Sequence, residues 1–498
     1  MKIEVCTTNA KKIVCDTLII GVWEETVLTR KIAEIHGEVL ADHIAHVIHR
    51  QPDCGMYGKT INIYPVEAIG EKRIMLLGLG KPRELTVDKI RDVFAIAARK
   101  IRKLEPTTVS CILADLIPSQ IEPEGMVKAI VEGIILGAYR FNYYKTTKVD
   151  AEIAKLFIIV QQENTAMLQK AAQRGYIISQ SVNLARDLSN HPSRNMTPTK
   201  MAEHAVEIAR QTGMKLVILS AADMAKQQMN AISAVAQGSD EPPCLIVLRY
   251  QGDTSCKEIV AFVGKGVTFD SGGISLKPSD KMGEMKGDMA GGAAVLGAML
   301  AIGRLKPKLN VIAVVPCVEN MPSGHALKPG DIIKTMCGKT VEIITTDAEG
   351  RLILADGITY ARTAGATRIV DVATLTGACA VALGNAASGV ISNDQVWCKQ
   401  ILQAAETAGE KMWELPHYPE YTEQIKSEIA DLKNSGGRMA GAITAGMFLA
   451  QFADELPWVH IDIAGTADID KARGCNGKGA TGAGLRTLVQ LAEDIGAE

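Results

Sequence analysis

Thr345-Thr346-Asp347-Ala348-Glu349-Gly350-Arg351-Leu352 is the stretch on which the reading of this chain turns. Upstream lies Val341-Glu342-Ile343-Ile344, a β-branched run that reads as a buried strand. Downstream, Leu352, Ala355, Ile358 and Ala361 recur at helical spacing. The octapeptide is therefore predicted to be a strand-to-helix turn, the repeating joint of an α/β sheet. Ligands of open α/β sheets bind at the carboxyl ends of strands. Asp347, Glu349 and Arg351 fall at i, i+2 and i+4, which in an extended turn aims all three to one side. Two carboxylates and a guanidinium are costly to bury together unless a cation neutralises the acids. A metal ion meets that need. A surface turn with an Arg–Glu pair is the alternative that the octapeptide alone leaves open.

Outward from this stretch the same alternation continues. Cys244–Arg249, Ile259–Gly264, Asn310–Val315, Arg368–Ala373 and Val459–Ile463 read as strands, with helices over Met289–Gly303 and Leu352–Ala364. The pattern predicts an α/β domain with a mixed, largely parallel sheet. Before it, Met196-Thr197-Pro198 opens a capped helix to Ala209, and Lys215–Leu219 is a further strand. A long helical pattern from Asn164 to Leu188 ends at Ser189-Asn190-His191-Pro192, where Pro192 disfavours helix at the residue before it. The first 145 residues or so form a smaller α/β unit, with strands at Thr17–Val22 and Ile74–Leu79 and helices over Val87–Leu104 and Met126–Tyr139. The predicted division is an N-terminal α/β domain over 1–163, a connecting helix over 164–190 and a catalytic domain over 191–498.

Composition narrows the function classes. A chain of 498 residues with 47% hydrophobic and 22% charged residues is globular and fills two or three domains. Its net charge of −2 gives no footprint for nucleic acid or an anionic membrane. Eleven cysteines without a CxxC pair read as reduced thiols, hence a cytoplasmic protein. The N-terminal residues lack the apolar core of a signal peptide, and Met289–Gly303 is too short to span a bilayer. His36, His43, His46 and His49 lack acidic or cysteine partners at metal spacing and are given no role. Gly78-Leu79-Gly80 lacks the third glycine of a nucleotide turn and reads as a simple turn.

Two further stretches carry chemistry. In Val263-Gly264-Lys265-Gly266-Val267-Thr268-Phe269-Asp270-Ser271-Gly272-Gly273-Ile274-Ser275-Leu276-Lys277, Lys265 and Asp270 follow a buried strand. Gly266 after Lys265 rules out a phosphate-binding P-loop. A lysine among acids can instead serve as a ligand once it has lost its proton. Asp288 opens the Met289 helix as a cap or as a ligand, two readings its position leaves open. Four acids (Asp270, Asp288, Asp347, Glu349) and three cations (Lys265, Lys277, Arg351) thus collect at element ends, with no histidine or cysteine. Four carboxylates suit two ions sharing ligands, which bind and activate a water and polarise an acyl or phosphoryl oxygen. The pattern does not choose between peptide and phosphate ester.

Thr346–Leu352 closely resembles the signature of the cytosolic leucyl aminopeptidases, the M17 peptidase family that includes bacterial aminopeptidase A. Asn183–Pro198, Val263–Lys277, Lys286–Asp288, Asp371–Gly377, Asp431–Asn434, Trp458–Asp462 and Gly479–Gly482 resemble further family blocks. The resemblance is strong over roughly 180–490 and weak over the first 160, where Gly133–Lys145 matches best. One departure is Thr345, where the signature has Asn. It is expected to alter substrate placement rather than abolish activity.

The resemblance implies a leucyl-type aminopeptidase that holds two divalent ions, Mn²⁺ or Zn²⁺. One site would comprise Lys265, Asp270, Asp288 and Glu349, with Lys265 a neutral ligand, and the other Asp270, Asp347 and Glu349. The peptide's free α-amine would sit on one ion while the shared water attacks the scissile carbonyl. Lys277 would stabilise the oxyanion, and Arg351 would hold a bicarbonate acting as general base. Met285, Thr374, Leu375 and Gly377 would line the substrate cleft. The family also implies homohexamers whose sites face an inner cavity, open to short peptides with a free N-terminus. A two-metal phosphoesterase, or an added DNA-binding role such as some bacterial relatives have, are the alternatives; the near-neutral composition gives the latter no support.

Overall fold

Apolar β-branched runs become the strands of two separate sheets, each in its own compact unit. The computed structural model describes residues 1–7, 13, 15–24, 38–64, 72–112, 121–147, 152–160 and 164–497. One unit is Met1–Gln180 with Lys471–Gly477, and the other is Ser181–Asp470 with Lys478–Glu498. The helix Thr165–Asn190 runs through the point of division. The two-domain α/β architecture is thus the one the sequence predicts.

In the first unit six strands lie in the order Lys2–Thr7, Lys155–Val160, Thr108–Ile112, Thr17–Trp23, Ile74–Gly80, Thr60–Ile63. All neighbours are parallel except the last pair. A strand sends alternate side chains to opposite faces. Ile19, Met75 and Leu77 accordingly meet the helices Val87–Ile101 and Pro123–Ala138, while Leu18, Ile20 and Leu76 meet Glu38–Arg50. Between the first two helices Arg91 Nε donates to Glu132 at 2.5 Å, both side chains buried. His43, His46 and His49 lie exposed on Glu38–Arg50, away from Leu40, Ala41 and Ile44. His36 falls outside the described residues. Gly78 and Gly80 end a strand and lead into the short 3₁₀ turn Pro82–Glu84.

The second unit holds a mixed nine-stranded sheet. Its centre is parallel: Trp458–Asp462, Arg368–Ala373, Val260–Gly264 and Asn310–Asn320 in that order. Antiparallel strands flank it, with Ser388–Ser392 beside Trp458–Asp462, and Cys244–Gln251 beside Asn310–Asn320 followed by Lys215–Ser220. Met412–Glu414 adds a parallel edge beside Ser388–Ser392. The apolar helix Ala290–Leu305 is buried almost throughout. It approaches the strand ends closely because a Cβ on Gly291 would lie 2.0 Å from the Val372 carbonyl oxygen, so only glycine fits there.

The Val341–Ile344 reading needs correction. The strand is Thr340–Glu342, and it belongs to a small separate sheet with Ile332–Lys334 and Leu432–Lys433, not to the large sheet. Val341 and Ile343 are buried but Ile344 is 45% exposed, so the run has one buried face rather than two. The helix half of the reading holds: Gly350–Thr363 buries Leu352, Ala355, Ile358 and Ala361.

Asp356 in that helix is fully buried and ties three segments together. Its carboxylate accepts the backbone N–H groups of Ala231, Ile232 and Met336 at 2.8–3.1 Å. Asp356→Ala leaves those buried donors unpaired and is expected to cost about 3 kcal/mol of unfolding free energy. Urea denaturation measures it, and a loss below about 1 kcal/mol overturns the account.

Candidate metal centre

The large sheet supplies Lys265 and Asp270 from one broken strand. Val260–Gly264 and Gly266–Asp270 both pair with Asn310–Asn320, and Lys265 is the residue between them. Five residues apart, Lys265 and Asp270 would face opposite ways on a regular strand. The register slips by one between Val267 and Phe269. This bulge restores them to one face, as an extra residue must. Lys265 N donates to Val372 O at 3.1 Å and its carbonyl accepts from Gly292 N at 2.7 Å, so its backbone is fixed.

Its side chain is fixed as well. Nζ lies 2.8 Å from Asp288 Oδ1, 2.9 Å from Glu349 Oε1 and 2.9 Å from Thr374 O. A Cβ on Gly350 would lie 2.5 Å from Lys265 Cε, so the signature glycine leaves room for this lysine. Burial alone would lower the Lys265 pKa, but the charges of Asp288, Glu349 and Asp270 outweigh it and hold the amine protonated.

Asp288 does not cap the helix after it. That helix begins after Met289, with no side-chain cap. The Asp288 carboxylate instead accepts from Lys265 and from Thr374 Oγ1 at 2.8 Å, and its Oδ2 is buried without a partner among the described residues. An orphaned anionic oxygen beside other acids is what a cation ligand would satisfy.

Asp347 and Glu349 arrive on the loop that leaves the small sheet. Asn434 braces it: Oδ1 accepts from Ile344 N at 2.8 Å, and Nδ2 donates to Thr345 O at 2.7 Å. Thr346 Oγ1 donates to Gly272 O and accepts from Ser275 N, which locks the loop to the segment after Asp270. Thr345 Oγ1 accepts from Asp347 N at 3.3 Å and lines a neighbouring cleft that shares Asp347 with this one.

One carboxylate oxygen from each of Asp270, Asp347 and Glu349 falls within 4.8 Å of the other two. Lys277 Nζ lies 2.7 Å from Asp270 Oδ2 and also pairs with Asp347. Burial would lower the Lys277 pKa too, yet Asp270 and Glu349 hold it up and protonated. Asp270, Asp288 and Asp347 are all pushed above the usual carboxylate range, in each case chiefly by burial. Arg351 is 8% exposed; Nη1 donates to Asn434 O at 2.8 Å, and Nε has no partner among the described residues. Burial brings its pKa down to about 10, which leaves it cationic at neutral pH.

All seven of these side chains line one cleft of about 330 Å³, together with Met285, Thr374, Leu375 and Gly377. Oxygen donors, an orphaned carboxylate oxygen and acids raised by burial fit divalent cations. Two positioning residues were given no role in the sequence reading, although Asn434 ends one of the family-like blocks. Asn320 Nδ2 donates to Asp270 Oδ1 at 2.8 Å and to Thr346 O at 3.0 Å, joining the two ligand-bearing segments, and Asn434 holds the Asp347 loop. An asparagine at a strand end is too common to signal either.

Known proteins resemble this chain over most of its length. Residues 19–148 and 183–489 match the N-terminal and catalytic domains of the cytosol aminopeptidase family. The chain is 47% identical over 502 residues to a probable cytosol aminopeptidase of Alkaliphilus metalliredigens (strain QYMF), covering 99% of this chain and 100% of the relative. It is 41% identical to the probable cytosol aminopeptidase of Bacillus subtilis (strain 168), covering 96% of each. Among solved structures, a mutant of tomato leucine aminopeptidase superposes with a TM-score of 0.88 at 32% identity, covering 99% of this chain and 96% of that one. The bottromycin maturation enzyme BotP in complex with Mn gives 0.86 at 31%, covering 97% and 99%. Full-length matches at this identity, on a cleft built of acids and lysines, place the chain in the cytosol aminopeptidase family as a metallo-aminopeptidase.

Proposed function

We propose that the chain releases N-terminal residues, preferably leucine and other bulky apolar ones, from short peptides at a two-metal centre. The observation that carries this is the trio Asp270, Asp347 and Glu349, with one oxygen of each converging within 4.8 Å in a cleft that also holds Met285, Leu375 and several alanines. Asp270, Asp288 and Glu349 would hold one ion, with Lys265 joining them as a neutral amine once the ion's charge offsets the acids that keep it protonated, and Asp270, Asp347 and Glu349 would hold the other. Mn²⁺ or Zn²⁺ there supplies Lewis acidity and an activated water. Met285, Leu375, Ala380, Ala464 and Ala467 make a wall suited to a leucine side chain, while the acids favour a free α-amine over a blocked one. Protonated Lys277 is placed to meet the oxyanion as charge develops on the carbonyl oxygen. Arg351 would hold a bicarbonate that takes the proton from the attacking water. A homohexamer in the cytoplasm, with sites facing an inner cavity, completes the reading, as does the division at 163 and 190.

Leucine amide and acetyl-leucine amide, assayed before and after chelation, test it. Leucine amide is expected to be cleaved at least 100-fold faster than its acetylated form, because blocking the amine removes the interaction that positions it. Chelation should abolish that activity, and Mn²⁺ or Zn²⁺ should restore it to different degrees, since oxygen-rich sites select metals weakly. Activity untouched by exhaustive chelation overturns the metal centre.

A further inference from the structure

A fully buried acid–imidazole pair lies outside the acid cluster. Asp371 and His460 stand directly opposite each other on the central strands Arg368–Ala373 and Trp458–Asp462. His460 Nδ1 and Asp371 Oδ1 are 2.5 Å apart, and Trp458 Nε1 donates to Asp371 Oδ2 at 2.7 Å. Both oxygens of Asp371 thus act as acceptors, which gives the Nδ1 proton to His460. His460 Nε2 is buried with no partner among the described residues. Stability alone does not call for such a pair, since apolar side chains of similar volume cost less to bury.

Two residues further along the strand, on the same face, lies Asp462. Its Oδ1 accepts from Leu375 N at 3.2 Å and Ala464 N at 3.1 Å, and its Oδ2 accepts from Thr376 Oγ1 at 2.7 Å. Leu375, Thr376 and Ala464 line the acidic cleft, so Asp462 pins the wall against which a leucine side chain would lie.

Charges alternate along this line: Arg351 is drawn to Asp462, and His460 to both Asp462 and Asp371. Burial and Arg351 oppose a charged imidazole, but the two acids outweigh them and hold it above its ordinary range. The helix Gly441–Ala453, which packs against this strand, carries no charged residue, and Ile391 is the neighbour on Ser388–Ser392. With a neutral His460, two buried acids would face Arg351 alone, and one of them would take up a proton. A protonated Asp462 gives up an acceptor, and the wall slackens.

We propose that His460 is a positioning residue: as a cation held by Asp371, it keeps Asp462 an acceptor for Leu375 and Thr376. The proposal rests on the peptidase reading for what the wall holds, not for the charge of His460.

Trp458 reports that charge, because its ring stacks on His460 with centroids 6.4 Å apart and planes within 7°. A charged imidazole quenches a stacked indole more than a neutral one. Emission is followed from about pH 6 to about pH 9 in the wild type, Asp371→Asn and His460→Gln. The wild type is expected to stay quenched past the usual imidazole range, Asp371→Asn to brighten at lower pH, and His460→Gln to show no step. The second readout is kcat/KM for leucine amide over that for alanine amide, a ratio from which titrations common to both substrates cancel. A slack wall should lower it about tenfold in His460→Gln, with metal content unchanged. Asp371→Asn should keep the ratio at about pH 6 and lose it as its emission rises, which carries the test if His460→Gln does not fold. A general loss of stability would lower both rates and leave the ratio alone. Wild-type brightening at or below the usual imidazole range, or a ratio that folded His460→Gln keeps, overturns the role. Calorimetry with free leucine and free alanine reads the same wall without turnover. A protein that cleaves neither amide, yet loses its preference for leucine over alanine in His460→Gln, sinks the peptidase reading and upholds the wall. One that cleaves leucine amide with the ratio unmoved does the reverse, and one that neither cleaves nor binds sinks both.

Discussion

Glu349→Gln is expected to remove metal and turnover together, lowering kcat/KM by roughly 10³-fold or more, the scale of losing a preorganised charge at a reacting centre. Glu349 is buried at 2% exposure, immediately before the helix Gly350–Thr363. It lies 2.9 Å from Lys265 and offers an oxygen within 4.8 Å of one on Asp270 and one on Asp347, and with Asp270 it is one of the two acids common to both proposed ion sites. Glutamine keeps its volume and one acceptor but leaves the cluster one negative charge short. Lys265 retains Asp288, so the fold should survive. Plasma emission analysis of the purified variant, beside kinetics on leucine amide and a thermal melt, checks all three points. A well-folded Glu349→Gln protein that carries two ions per chain at wild-type turnover would falsify the shared-ligand assignment.

The sequence made some of this site visible and hid the rest for identifiable reasons. Acids and lysines at element ends were legible because charged residues beside apolar runs demand an explanation, and the cleft brings all seven together. The helix after Gly350 was legible from its 3.6-residue period. Which sheet a three-residue strand joins is not written in its periodicity, so Thr340–Glu342 was assigned to the wrong one. The bulge between Val267 and Phe269 was also hidden, because it exists only relative to the partner strand. Without it Lys265 and Asp270 would not share a face. Asp288 illustrates a third limit: capping and ligation need the same residue at the same place, and only the direction of the carboxylate separates them.

Lys265 and Lys277 are two lysines of one cleft, and replacing each by alanine is expected to fail differently. Lys265 is 3% exposed, clamped by Asp288, Glu349 and the Thr374 carbonyl, and walled in by Gly350. Lys277 lies beyond Gly272 and Gly273, both at positive φ, with a side chain 21% exposed that spans Asp270 and Asp347. A group buried among the acids can act only on them and on the ions they would hold. A partly exposed ammonium at the cleft wall can also meet a substrate. Lys265→Ala should therefore lower metal content, because one ion loses its amine ligand and the acids lose the side chain that spaces them. Lys277→Ala should keep its metal and lower kcat by roughly 10²–10³-fold, the usual loss for one oxyanion-stabilising group, with a small change in KM. Arginine at 277 keeps the charge but not the compact ammonium, and should recover only part of the loss. Metal analysis alongside kinetics decides between the roles. A Lys277→Ala protein stripped of metal, or a Lys265→Ala protein fully loaded and merely slow, exchanges the two assignments.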